Sequence, residues 1–384
     1  MSNSDAPAVI CWRWPPPRLG SPPVPETVGV GMLGYGFMAA AHLSGLSQVP
    51  NARVTAIAGP NQERASAVAA DHGVPSVYPD EHALLADPSV DAVVITSPDD
   101  QHYAQTMACI EAGKHVFVEK PISLDAMQAR EMYMAAMSAG VRTGVGFTLR
   151  WNPLIERISA MVQAGELGQL VSVHCQRFNR RLLGDVPVME WRYDPSRGRS
   201  GVLGDLGSHM IDLAQFLAGP ITAVAADLNT VRPHALDPET GAEVPLTLDD
   251  DAVLSVRFAS GAHGTISTSR VGAVDSHLPL GRSSFLINGT EAGVLTDCVL
   301  QATINRVGRE PELVDPGLPL DDADHAGILA FFGERMMRGF VDSIRENRDV
   351  PPTLMDGLRT QEVIDCALEA AETRRWVDVP PTHG

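Results

Sequence analysis

Val28-Gly29-Val30-Gly31-Met32-Leu33-Gly34-Tyr35-Gly36-Phe37-Met38-Ala39 runs an apolar stretch into a pair of glycines and then into an alanine-rich segment. A short apolar run closed by glycine reads as a buried strand, and the alanines after it as a helix. Strand, Gly-x-Gly-x-x-Ala turn and helix form the context in which a dinucleotide pyrophosphate is held. Gly34 permits the tight turn, Gly36 lets backbone approach the phosphates, and Ala39 is small enough for close helix packing. Phe37 and Met38 begin a helix whose unpaired N–H groups face the phosphates. The plain alternative is an ordinary strand-helix turn.

Downstream, helical patterns alternate with the apolar runs Val54 to Ala58, Ala92 to Ile95, His115 to Val118 and Gly140 to Gly146. Repeated strand-helix-strand units predict a Rossmann-type, doubly wound parallel sheet over residues 27–148. The second strand ends Ala56-Ile57-Ala58-Gly59-Pro60-Asn61, with no acid at its tip to accept the ribose hydroxyls. Gly59 leaves room where a carboxylate would repel a 2′-phosphate, and Asn61 and Arg64 are placed to meet one. The expected cofactor is NAD(P), with NADP favoured over NAD and dual use open; Arg64 as a solvated helix residue is the alternative.

After residue 148 the texture changes. A helix at Pro153 to Ala164 precedes strand candidates at Leu170 to Phe178, Ile221 to Leu228, Ala252 to Phe258, His263 to Ser269 and Ser284 to Ile287. No long helices separate these strands, so a mainly antiparallel sheet is expected over residues 149–384. Helices at Ala326 to Glu346 and Asp356 to Arg375, then a short strand near Trp376, close the chain. The fold class is therefore α/β, with a Rossmann sheet followed by an α+β domain for substrate binding and oligomerisation.

Two segments carry chemistry. Lys120, in Glu119-Lys120-Pro121 after Val116-Phe117-Val118, stands at a strand end where its cation can polarise a substrate oxygen. Asp205, His209 and Asp212 fall at helical spacing in Gly204-Asp205-Leu206-Gly207-Ser208-His209-Met210-Ile211-Asp212, beside an apolar stripe from Leu206 to Leu217. A polar row beside a buried stripe is costly unless paired, hydrated or functional. Histidine suits the base that takes a hydroxyl proton during hydride transfer, because its pKa lies near working pH. His209 is the candidate base and Asp205 its orienting partner, while Lys120 stabilises the developing alkoxide or shares the base role. A metal site and a structural His-Asp pair are the alternatives.

Composition narrows the partners. The 384 residues carry a formal charge of −18 at 44% hydrophobic content, which opposes phosphate-backbone and anionic-membrane binding. No apolar run is long enough to span a bilayer, and no signal peptide is recognisable. Five scattered cysteines without a C-x-x-C pair argue against zinc and disulfides and for the reducing cytoplasm. Residues 1–26, with Pro15-Pro16-Pro17, are expected to be extended and flexible.

Together these segments resemble the glucose-fructose oxidoreductase, inositol dehydrogenase and rhizopine catabolism (Gfo/Idh/MocA) family. The resemblance rests on the glycine turn, on Ser97-Pro98 with His102, on Gly113 to Pro121 and on Asp205 to Asp212, over about residues 28 to 380. It implies an open C-terminal sheet that packs on another subunit, giving a homodimer or homotetramer. It also implies that Lys120, Asp205 and His209 are catalytic, that Glu119 lies near the nicotinamide ribose, and that Ser97, Pro98 and His102 line the cofactor cleft. Arg150 and Arg192 match segments that reach the substrate pocket, and the implied substrate is a sugar, cyclitol or glycoside. An NAD-dependent glycoside hydrolase and a non-catalytic cofactor-binding regulator are the other readings. His42, His115 and His174 are expected to be packing or surface residues.

Overall fold

A computed structural model describes residues 24–273, 282–314 and 325–381. Most of the Pro-rich segment 1–26 lies outside the described residues. The first sheet takes β1 (Val28–Leu33), β2 (Ala52–Ala58), β3 (Ser76–Tyr78), β4 (Ala92–Ile95), β5 (His115–Val118) and β6 (Thr143–Val145). Its order is β3-β2-β1-β4-β5-β6, parallel throughout. Every residue of β1, β4 and β5 is buried, as a parallel sheet covered on both faces requires. Helices α1 (Phe37–Ser47), α2 (Gln62–His72), α3 (Glu81–Leu85), α4 (Asp99–Glu111) and α5 (Ala126–Ala139) make the crossovers. Strand order reverses between β1 and β4, and a crevice opens at the carboxyl ends of these strands.

After α6 (Pro153–Gln163), a nine-stranded sheet gathers β7 (Leu170–Phe178), β8 (Ile221–Asn229), β11 (Asp251–Phe258), β12 (His263–Ser269), β13 (Arg282–Gly289), β14 (Ala292–Thr296), β15 (Ala302–Arg306), β16 (Glu312–Val314) and β17 (Val377–Asp378). The strands β9 (His234–Leu236) and β10 (Glu243–Pro245) form a separate ribbon. Only β12 and β7 pair in parallel within the larger sheet. One face buries Val173, Leu254, Val256, Ile266, Phe285 and Ile287 against α6, α7 (Ser208–Ala218) and α9 (Leu354–Thr373). The opposite face leaves Val253 and Leu295 nearly half exposed.

Helix α8 (His325–Arg345) does not join that second core, although its sequence position groups it with residues 149–384. Its Met336, Met337, Phe340, Val341 and Ile344 pack with Val28, Val30 and Met32 of β1 and with Leu43 and Leu46 of α1. Helix α9 joins both cores, Leu354 and Leu358 in the first and Val363, Ile364 and Ala367 in the second, so the two C-terminal helices strap the Rossmann unit to the second domain. No described helix is long and apolar enough to cross a membrane.

Candidate functional site at the mouth of the Rossmann sheet

Gly34 leaves β1 at φ +103°, where a Cβ would sit 2.6 Å from Thr96 Oγ1, so the turn demands glycine. Helix α1 then starts with no capping side chain and no acid in its first turn. The glycine turn and this uncapped helix start fit a dinucleotide pyrophosphate. At the tip of β2 the space beside Gly59 is taken by Tyr35: a Cβ there would lie 2.2 Å from the ring. Arg64 stands 5.5 Å over the same ring, and both Gly59 and Arg64 line the cleft. Asn61 is placed differently. Its side chain caps α2 by accepting from Arg64 N at 2.9 Å, its own N–H donates to Tyr35 Oη, and it is not among the lining residues.

Ser97, Pro98 and His102 lie along the β4 side of the cleft. The buried His102 ring bridges two loops, with Nδ1 2.7 Å from Pro121 O and Nε2 2.9 Å from Ser97 O. It thereby ties the loop after β5, which carries Lys120, to the loop after β4. Glu119 turns inward to His42, whose Nε2 lies 2.7 Å from Glu119 Oε1. Burial opposes its ionisation, yet His42 and the nearby Lys120 charge hold the Glu119 carboxyl below its ordinary range.

Lys120 reaches across to the second domain, donating from Nζ to Asp205 Oδ1 at 2.8 Å and to Asp205 O at 3.1 Å. Arg270 Nη2 donates to the other oxygen, Oδ2, at 3.0 Å. Burial alone would raise the Asp205 carboxyl, but these two cations hold it well below the usual range. Both oxygens of Asp205 are therefore engaged by protein cations. His209 lines the same cleft, its Nδ1 enclosed without a partner and its ring edge-on to Phe147 at 6.4 Å. Burial, then the charges of Arg177 and Lys120, push its pKa well below the usual imidazole value.

The expected polar row does not stay together. Leu203–Gly207 form a π-helical turn before α7, and this wider turn rotates Asp205 relative to the α-helix behind it. Asp249 holds the turn open, accepting from Gly201 N at 2.6 Å and Leu203 N at 2.7 Å. Asp205 and His209 face the cleft, while Asp212 points into the core and takes Arg150. Arg150 Nε and Nη2 fork onto Asp212 at 2.8 and 2.5 Å, and its Nη1 lies 3.1 Å from Asp356 Oδ1. Against the pull of burial, Asp212 and Asp356 carry the Arg150 pKa above its ordinary value. Expected in the substrate pocket, Arg150 is instead a buried brace between α7 and α9, outside the cleft lining. Arg192 does line the cleft, stacked 4.1 Å from the Trp191 ring.

The whole cleft encloses about 980 Å³, from the glycine turn to the Lys120–Asp205 pair. The chain matches two family models in succession: residues 28–147 an "oxidoreductase family, NAD-binding Rossmann fold" and residues 155–295 a "GFO/IDH/MocA C-terminal domain". The chain belongs to the Gfo/Idh/MocA family. A levoglucosan dehydrogenase of Pseudarthrobacter phenanthrenivorans is 27% identical over 92% of this chain and 99% of that protein. An NADP(+)-dependent scyllo-inositol 2-dehydrogenase of Bacillus subtilis is 27% identical over 92% of this chain and 96% of its own. Among solved structures, a levoglucosan dehydrogenase complex with NADH and L-sorbose superimposes with a TM-score of 0.85 at 26% identity, covering 92% of this chain and 99% of that one.

In this Gfo/Idh/MocA oxidoreductase several cleft residues escaped sequence reasoning. Tyr35, Asp99, Arg177, Arg181, Trp191 and Arg270 all line it. One signal was readable: Arg177 shares the strand parity of Val173 and Cys175, the core-facing residues of β7. An arginine on the apolar face of a strand needs a reason. Arg270, one residue past β12, carried no such mark.

Proposed function

We propose that this protein is an NAD(P)-dependent dehydrogenase or reductase of a carbohydrate or cyclitol CH–OH group, with Lys120, Asp205 and His209 around the reacting carbon. The carrying observation is the Lys120–Asp205 contact at 2.8 Å beside the buried His209, in the same cleft as the glycine turn. When bound, a nicotinamide dinucleotide supplies the hydride acceptor. Lys120 donates a hydrogen bond to the reacting oxygen and stabilises negative charge developing there. His209 receives the hydroxyl proton on its open ring edge, since its Nδ1 is enclosed. Asp205, fixed by Lys120 and Arg270, aims the ammonium and supplies an acceptor to a neighbouring hydroxyl.

The substrate class follows the levoglucosan and inositol dehydrogenases to which the chain is similar. NADP is favoured over NAD because Arg64 offers a cation and the tip of β2 offers Gly59 in place of an acid. The uncovered face of the nine-stranded sheet is the proposed homo-oligomer contact. Steady-state kinetics at the nicotinamide absorbance band, with a panel of sugars and inositols, test the reading. Lys120→Ala and His209→Ala are expected to lower kcat by about 10²- to 10⁴-fold. Turnover within a few-fold of wild type in both variants sinks the assigned roles, and glycoside cleavage without net cofactor reduction points to a hydrolase.

A further inference from the structure

The substrate end of the cleft is cationic, in a chain whose net charge is −18. Its second-domain wall carries Arg177, Arg181, Arg192, Arg197 and Arg270, facing Lys120. Three of these arginines have carboxylate partners: Arg270 holds Asp205, Arg197 holds Asp100 and Arg181 holds Glu190. Arg177 has none. Only 7% of it is exposed, its Nε and Nη1 are enclosed, and neither has a hydrogen-bond partner among the described residues.

A buried guanidinium without a hydrogen-bonded counter-charge is costly, and burial works against the charge of Arg177. The Asp205 charge reaches Arg177 without a hydrogen bond to it and is shared with Lys120 and Arg270, which it binds directly. Core packing alone does not call for this residue, since Val173 and Cys175 fill the same face of β7 without charge. Cofactor phosphates do not supply the missing anion, because the glycine turn and the α1 N-terminus that suit them belong to the other wall of the cleft. A neutral sugar offers hydroxyl dipoles, which solvate a cation without cancelling its charge.

We propose that the substrate carries an oxyanion, a carboxylate or a phosphate, on its hydroxylated carbon frame, and that Arg177 receives it beside the reacting centre. The inference rests on the dehydrogenase reading above and narrows its substrate to sugar acids or sugar phosphates. Arg192, stacked on Trp191, borders the same space and adds a second cation. The oxyanion also fixes orientation: with its charge on Arg177, one hydroxylated carbon is presented to Lys120 and His209.

The test compares matched sets: D-glucose with D-gluconate, D-glucuronate and D-glucose 6-phosphate, and the corresponding D-galactose series. Binding to the enzyme–NADP⁺ and enzyme–NAD⁺ complexes is measured by calorimetry, and turnover by nicotinamide absorbance. The anionic members are expected to exceed the neutral sugar by about ten- to a hundredfold, the range of a charged hydrogen bond. Carboxylate and phosphate arms then identify the oxyanion. Arg177→Gln is expected to reduce the anionic-to-neutral ratio at least about tenfold, and Arg177→Lys to retain part of it. Added salt weakens the wild-type preference, a readout that survives if the variants do not fold.

Equal binding of neutral and anionic members, or an unchanged ratio in Arg177→Gln, overturns the inference. Anion binding without nicotinamide reduction leaves it standing and removes the dehydrogenase reading instead.

Discussion

At Gly59 a single residue changes what the cofactor cleft can accept. The sequence leaves a gap at the tip of β2, and the structure fills it with Tyr35, whose ring then supports Arg64 at 5.5 Å. Arg64 is thus held as a cation over an aromatic face instead of swinging freely in solvent. Replacing it by alanine is expected to weaken NADP⁺ by about tenfold relative to NAD⁺, the size of one phosphate contact made partly in solvent. Calorimetric titration of both dinucleotides measures that ratio, and equal losses for the two cofactors remove Arg64 from phosphate recognition. Lys120, Asp205 and His209 were legible because each is a titratable side chain beside a patterned apolar run. Tyr35 was not, since its role depends on a glycine 24 positions away that has no side chain to announce the contact.

Among the elements, the segment from Gly201 to Ala218 shows where periodicity misleads. A regular helix would place Asp205, His209 and Asp212 in one row, but a π-helical turn held by Asp249 divides them. That turn is invisible to a 3.6-residue count, and its cap comes from an acidic block 44 residues beyond Asp205. The division gives Asp212 to Arg150, and Arg150 to Asp356 at the start of α9, so three elements meet on one guanidinium. Arg150→Met leaves both carboxylates buried without their cation and is expected to cost about 3–5 kcal/mol of stability. A urea titration reads the loss, while KM of the folded fraction stays within a few-fold. A large rise in KM with stability unchanged would return Arg150 to the substrate pocket.

On the scale of the whole molecule, the inner strands of both sheets were legible because they are short apolar or alternating runs with clear stops, whereas the short strands β3, β14, β15 and β16 offer too few residues to show a period. Which core α8 joins was not, because an amphipathic face states that it must be covered and not by what. The same physics leaves one surface open: on the nine-stranded sheet, α6, α7 and α9 cover a single face. The other presents Val253 and Leu295, with Ser255, Thr265 and Leu286 half-buried between them. A broad, mixed apolar and hydroxyl surface on a sheet face that no described element covers suits self-complementary packing against a second copy across a two-fold axis. Such a contact lies on the side of the sheet opposite α7, so it steadies the strands under Asp205 and Arg177 without closing the cleft. Sedimentation of the wild type is expected to show a dimer or tetramer at micromolar concentration, and Val253→Arg with Leu295→Arg to shift it toward monomer. A folded wild type that stays monomeric at that concentration rules this face out as the assembly surface. Dissociation of the double variant with the cleft intact predicts a lower melting temperature at low protein concentration, since assembly stabilises by mass action.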